Sequence, residues 1–197
     1  MADQASNQVV TIVSGLPRSG TSMMMKLLEA GGLQPVTDNI RTADKDNPKG
    51  YYEFERVKQL PKGDVAWLPE AQGKVVKVIA ALLPALPGGY HYRVIFMQRA
   101  MPEVLASQRQ MLIRRGEDPD KIPDEAMATL FEKHLRQVDA WMKQQVNVAR
   151  LDVNYNDMLK NHQPFIVQIN AFLGHQLDEA RMAAVVDPAL HRQRREL

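Results

Sequence analysis

Between positions 15 and 22 the chain reads GLPRSGTS: a glycine, four residues, a second glycine and two hydroxyl side chains. Glycines at this spacing let successive backbone N–H groups turn toward one anion, and a helix starting near Thr21 would add its positive end. Pro17, Arg18, Ser19, Gly20, Thr21 and Ser22 are therefore candidate anion-binding residues. A nucleotide-hydrolysing loop carries a lysine immediately after the second glycine and a carboxylate after another apolar strand to hold magnesium. Here Thr21 stands in the lysine's place, Arg18 is the loop's cation, and the apolar VIFM is followed by Gln98 and Arg99. The strand tip expected to hold a metal presents positive charge instead.

A second pair of residues fits the same chemistry. Arg99 follows VIFM, and Ser107 lies eight residues later. With Pro102 as a first helical residue, Ser107 falls roughly 7.5 Å along the axis at about 1.5 Å per residue. A long arginine and a short hydroxyl can then converge on one phosphate. Proton transfer needs a further group, and NPKGYYEFE (residues 47–55) offers Glu53 and Glu55; in an extended segment the two would face the same side. Lys77 sits in an otherwise apolar strand, where an unpaired ammonium is costly, so it is expected to point from the strand end toward an anion.

These residues need a frame. VVTIVS (residues 9–14) is β-branched and continuously apolar, as in a strand buried on both faces. A helix is predicted over 21–30, closed by Gly31 and Gly32. A long polar excursion follows, carrying at most a short helix around 54–60. KVVKVIAALL and YRVIFMQ read as two more strands, the first passing into a turn or short helix. Helices are predicted from Pro102 to Gly116 and over 124–145, VNVARLDV as a fourth strand, and helices around 164–173 and 178–186. Strands alternating with helices imply a three-layer α/β domain over 1–197, with a parallel sheet of four or five strands. Ligands of such sheets bind beyond the strands' C-terminal ends, where the loop and Arg99 both fall.

Of 197 residues, 45% are hydrophobic and 24% charged, and the formal charge is only +2, so any anion preference must be local and nucleic acid is not an expected partner. Cysteine is absent, which excludes disulfides, thiolate zinc sites and cysteine nucleophiles. MADQASNQ lacks the features of a signal peptide, and the apolar run over 75–87 is too short for a bilayer, so a soluble, cytoplasmic protein without membrane partners is expected. The five histidines show no metal-ligand pairing, and His134 is placed on the exposed side of its helix. Met23, Met24 and Met25 read as core packing. Trp67, Tyr51, Tyr52, Phe54 and Trp141 are candidates for lining a pocket, and the tail HRQRREL reads as solvated.

PRSGTS and RAMPEVLAS together resemble the sulfotransferase family, whose members transfer a sulfuryl group from 3′-phosphoadenosine 5′-phosphosulfate (PAPS). The resemblance implies a P-loop, sulfotransferase-like fold, a 5′-phosphosulfate loop over Pro17 to Ser22, and a 3′-phosphate element at Arg99 and Ser107. LDVNYNDMLKNHQPFIVQINAFLG is similar to the family's late segment and places Tyr155 near the adenine. Likeness runs from Val9 to about Gly174.

VKVIAALLPALP resembles a stretch where many members have lysine, threonine and histidine; Lys77 fits the lysine, but Ile79 occupies the histidine's place and cannot accept a proton. In other branches carboxylates take that role, which makes Glu53 the first choice of base and Glu55 the second. Arg18 and Lys77 then support the departing charge, Lys49 being a lesser candidate. The implied reaction needs no metal and moves the sulfuryl group to a hydroxyl or amine of an unidentified small molecule, carbohydrate or peptide. The chain is short for the family, which leaves open both an acceptor site completed by a second copy and a donor site incomplete on its C-terminal side. Two other readings stay open: a divergent P-loop kinase or nucleotide hydrolase requiring magnesium and ATP, and a non-catalytic PAPS- or nucleotide-binding module.

Overall fold

Among the described residues, five strands, seven α-helices and two 3₁₀ helices carry the loop and its partners. The computed structural model describes residues 9–38 and 52–186. In chain order these form β1 (Val9–Gly15), α1 (Thr21–Ala30), β2 (Pro35–Val36), a 3₁₀ helix (Glu55–Lys62) and α2 (Leu68–Ala71). Then come β3 (Val75–Lys77), a second 3₁₀ helix (Ala80–Ala85), β4 (His91–Gln98), α3 (Met101–Arg114) and α4 (Asp124–Gln144). The chain continues through β5 (Val148–Asn154), α5 (Tyr155–Lys160), α6 (Gln163–Leu173) and α7 (Glu179–Ala184).

All five strands are parallel, in the order β2-β3-β1-β4-β5. The pleat sends alternate residues to opposite faces, and each face has its own core. Val10, Ile12, Val76, Val94 and Phe96 pack with Trp67, Leu68, Leu83, Val138 and Met142. Val13, Val75, Ile95, Met97 and Val153 pack with Met24, Met25, Leu27 and Leu28 of α1 and with Ile166, Ile169 and Met182. The result is an α/β fold whose five-stranded parallel sheet is flanked by helices. Met24 and Met25 are core residues, as the sequence indicates.

Register determines which chemical groups meet. Val13 pairs with Lys77, Gly15 with Met97, and Gln98 with Asn154, so the loop after β1, Lys77, Arg99 and Tyr155 all emerge at the C-terminal edge of the sheet. Lys77 follows Val75 by two residues and shares its face, the face that α1 covers.

The predicted strands and long helices appear close to their expected bounds, with three additions. β2 is a two-residue edge strand, Pro35 opposite Val75, too short for any alternation to reveal and tolerant of proline only because it lies at the edge. α2 is a single turn. α5 begins directly after β5, where the Asn154 side chain caps it by accepting from the Asp157 N–H at 3.1 Å. One expectation is corrected: His134 is half-buried, not on an exposed face. α4 packs on both α3 and the 3₁₀ helix Ala80–Ala85, so more than one side of this long helix is covered. Burial lowers the His134 pKa, and its Nε2 has no hydrogen-bond partner. Among the described residues no helix is long and apolar enough to cross a membrane.

Candidate functional site

The loop curls as its glycines allow. Gly15 lies at φ 148°, where a Cβ would stand 2.5 Å from Ser19 Oγ and 2.7 Å from the Met97 carbonyl oxygen; a side chain would push β1 away from β4. Ser19, buried, closes the turn: its hydroxyl donates to the Leu16 carbonyl at 2.7 Å and its N–H to the same oxygen at 3.2 Å. Pro17 is exposed at the tip, and Thr21 and Ser22 are half-buried at the start of α1. The N-terminus of α1 has no side-chain cap and no acidic residue in its first turn, so its positive end is not neutralised from within the helix.

Gly20 is left-handed at φ 100°, and a Cβ there would overlap the Tyr155 ring. Gly20→Ala is expected to destabilise the protein by about 2–4 kcal/mol, from left-handed backbone cost plus overpacking. Urea unfolding measures it, and adding Tyr155→Ala should restore the overpacking share. A loss unaffected by the second substitution would refute the contact.

Arg18, Arg99 and Ser107 come together from distant parts of the chain. Arg18 Nε donates to Ser107 Oγ at 2.9 Å, and Arg99 Nη1 donates to the Arg18 carbonyl oxygen at 3.0 Å. Arg99 is held in turn: its Nε donates to Glu103 Oε2 at 3.0 Å, and its guanidinium lies 4.7 Å from the centre of the Tyr155 ring. Glu103 also accepts from Asn156 Nδ2 at 2.8 Å, while Asn156 Oδ1 accepts from the Ala100 N–H at 3.3 Å. The Arg99 and Glu103 side chains are only 7% and 6% exposed. Tyr155 is buried, with Arg99 over one face and Gly20 against its edge, and it braces the loop.

On the other side of β1, Lys77 Nζ lies 3.4 Å from Ser22 Oγ and 3.9 Å from Glu53 Oε1. Glu53 is fixed through its backbone, whose carbonyl accepts from Thr37 Oγ1 at 3.0 Å and from the Asp38 N–H at 3.3 Å. Glu55 does not share its side. The 3₁₀ helix starts at Glu55 and ends the extended run, so its carboxylate turns away and pairs with Lys58 at 2.7 Å. Tyr52, left-handed at φ 53°, donates its hydroxyl to Glu29 of α1; burial, then that bond and the Glu29 charge, hold its pKa above the ordinary phenol value. Ile79, just beyond β3, is 40% exposed.

Of the aromatic candidates, Trp67 is core: it meets Phe54 edge-on with ring centres 5.5 Å apart and donates Nε1–H to the Asp64 carbonyl. Trp141 packs against the same core. Lys49, Tyr51 and the basic tail lie outside the described residues. A cavity of about 400 Å³ opens beside β4 and β5, floored by Leu16, Phe96, Val104 and Leu135. At its rim Arg150 stacks on Phe96 at 4.6 Å and binds Asp139 and Asp152 at 2.8 and 2.7 Å. It includes neither Glu53, Lys77 nor Ser107 in its lining. Among the described residues, no three histidine, aspartate or glutamate side chains gather where they could hold a metal ion.

No family model and no curated protein matches this chain. The site's own geometry is what indicates a function. Two of its members, Glu103 and Asn156, carry no motif. The signal for Glu103 was its position four residues after Arg99 at a helix start, a spacing that favours an ion pair.

Proposed function

We propose that the chain is a sulfotransferase with PAPS as donor and a hydroxyl or amine as acceptor. Glu53 takes the acceptor's proton as the acceptor oxygen or nitrogen bonds to sulfur. The bond from sulfur to the bridging oxygen breaks on the opposite side, and its electron pair stays on the departing phosphate of 3′-phosphoadenosine 5′-phosphate. Lys77 and the N–H groups at the start of α1 face the charge that develops there. The sequence reading also gives Arg18 a share in that stabilisation.

The observation that carries this reading is the meeting of Arg18, Arg99 and Ser107, 81 and 89 residues apart in sequence, at the mouth of a loop that lacks the hydrolase lysine. Such a cluster suits a phosphate on the ribose 3′-oxygen, which PAPS has and ATP lacks. The pairing of Glu53 with Lys77 beside Ser22 supports the placement of the chemistry on the β3 side.

Calorimetric titration with 3′-phosphoadenosine 5′-phosphate, and separately with ATP and magnesium, tests it. Wild type should prefer the 3′-phosphorylated nucleotide, and Ser107→Ala should weaken that ligand by about tenfold or more, the weight of one hydrogen bond to a charged group. Preference for ATP with magnesium would favour a kinase or hydrolase and end the proposal.

A further inference from the structure

We infer that the chain pairs with a second copy of itself along the outer edge of β5, antiparallel and centred on Leu151. Among the described residues β5 is an end strand of the sheet, bonded to β4 on one side only. The Tyr92 N–H donates to the Asn147 carbonyl at 2.8 Å, and Tyr92 stands opposite Val148. In a parallel ladder that phase turns the N–H and C=O groups of Asn147, Ala149, Leu151 and Val153 toward β4. Those of Val148, Arg150, Asp152 and Asn154 therefore point away from the sheet. Proline, bulges and lysines commonly blunt such an edge. β5, VARLDVN, has none of them, and its register against β4 is unbroken.

Charge decides the occupant and the register. With Leu151 opposite Leu151 of the second copy, Arg150 falls opposite the other Asp152, and Asp152 opposite the other Arg150. These are the residues whose backbone groups point outward, so each is a hydrogen-bonded pair, and opposite charges directly across a strand pair attract. A slip of one residue would set outward-bonding residues against inward-bonding ones. Slips of two would bring Arg150 against Arg150, or Asp152 against Asp152, and like charges there repel. One register of a two-fold pair is thus selected.

The side chains have capacity for it. Asp152 is 46% exposed, and its bonds from Gln98 and Arg150 all go to Oδ1, so Oδ2 can accept from the guanidinium of the second copy. On the other face of the strand, exposed Ala149 comes opposite Val153, and the two Leu151 side chains meet beside the α1-side core. Arg150 also lines the cavity beside β4 and β5, so pairing brings a carboxylate of the second copy to its rim.

Because the chain has no cysteine, one introduced thiol reports on this register. Directly opposite residues of a non-hydrogen-bonded pair stand about 4.5 Å apart at Cα, within disulfide reach. Oxidised Leu151→Cys should therefore run at twice the 22.3 kDa of the chain. In Ala149→Cys the two thiols would lie four residues apart along the pair, and crosslinking should be at least about tenfold slower. Sedimentation velocity over about 1–300 µM, the range for a small edge contact, should show wild type approaching the dimer mass. Arg150→Glu and Asp152→Lys, each verified as folded by a thermal melt, should each weaken self-association about tenfold or more. Mixed together they should associate again, since each supplies the charge the other lost. Wild type that stays at 22.3 kDa throughout, equal crosslinking of the two cysteine variants, or a mixture that does not recover would overturn the pairing. None of these readouts involves a nucleotide, so the sulfotransferase proposal stands or falls separately.

Discussion

Glu103→Ala should destabilise the protein by about 3–5 kcal/mol, the usual cost of stranding one half of a buried ion pair. The substitution removes the carboxylate that receives Arg99 Nε and Asn156 Nδ2, and Arg99 has almost no solvent to turn to. Urea unfolding gives the value directly. Glu103→Gln keeps an accepting oxygen and should cost less than Glu103→Ala. Replacing both members, as Arg99→Met with Glu103→Leu, should recover only part of the stability: no charge is left uncompensated, but Asn156 Nδ2 and the Arg18 carbonyl still lose their partners. A loss below about 1 kcal/mol for Glu103→Ala would mean that the pair behaves as a solvent-exposed one.

Glu53→Gln is expected to lower sulfuryl transfer by about 10²- to 10⁴-fold, the range for removal of a general base. The amide is close in shape and cannot take the proton. Binding of 3′-phosphoadenosine 5′-phosphate should be little changed, since Glu53 lies on the β3 side, away from Ser107. Glu55→Gln is the control: that carboxylate is 44% exposed and bound to Lys58, and its loss should leave turnover near wild type. Equal activity in wild type and Glu53→Gln would remove Glu53 from the mechanism. Tight nucleotide binding with no transfer to any class of acceptor would favour the non-catalytic module, as the exposed Ile79 in the histidine's place suggests.

Much of this arrangement was legible in the residues because period and punctuation agreed. VVTIVS reads as a doubly buried strand and is one; the glycines after it bend the backbone where they were expected to; Pro102 marks the first turn of α3. Elements too short to show a period were not legible, which is why β2 and α2 escaped notice. Asn154 and Asp157 hold the spacing of a helix cap, but the strand signal running into them masked the start of α5.

The side-chain partnerships were harder. That Lys77 meets Ser22 depends on the β1–β3 register and on the face that α1 covers, and no local pattern encodes either. Glu53 and Glu55 part because a 3₁₀ helix begins between them, where an extended reading aligned them. The burial of Tyr155 depends on Gly20, 135 positions earlier, and on Arg99, and no local pattern encodes either contact.

The links around Arg99 also bear on how the protein acquires its proposed anion site. Arg18 to Arg99 spans 81 residues, Arg18 to Ser107 spans 89, and Glu103 to Asn156 spans 53. Contacts of such sequence separation form only after large loops have closed, late in the ordering of a chain. The loop sequence is local, but its working shape depends on β1, β4 and β5 lying side by side. A partly folded chain would carry GLPRSGTS without the cradle, and a nucleotide that binds the cradle would add its binding free energy to the fully assembled sheet alone.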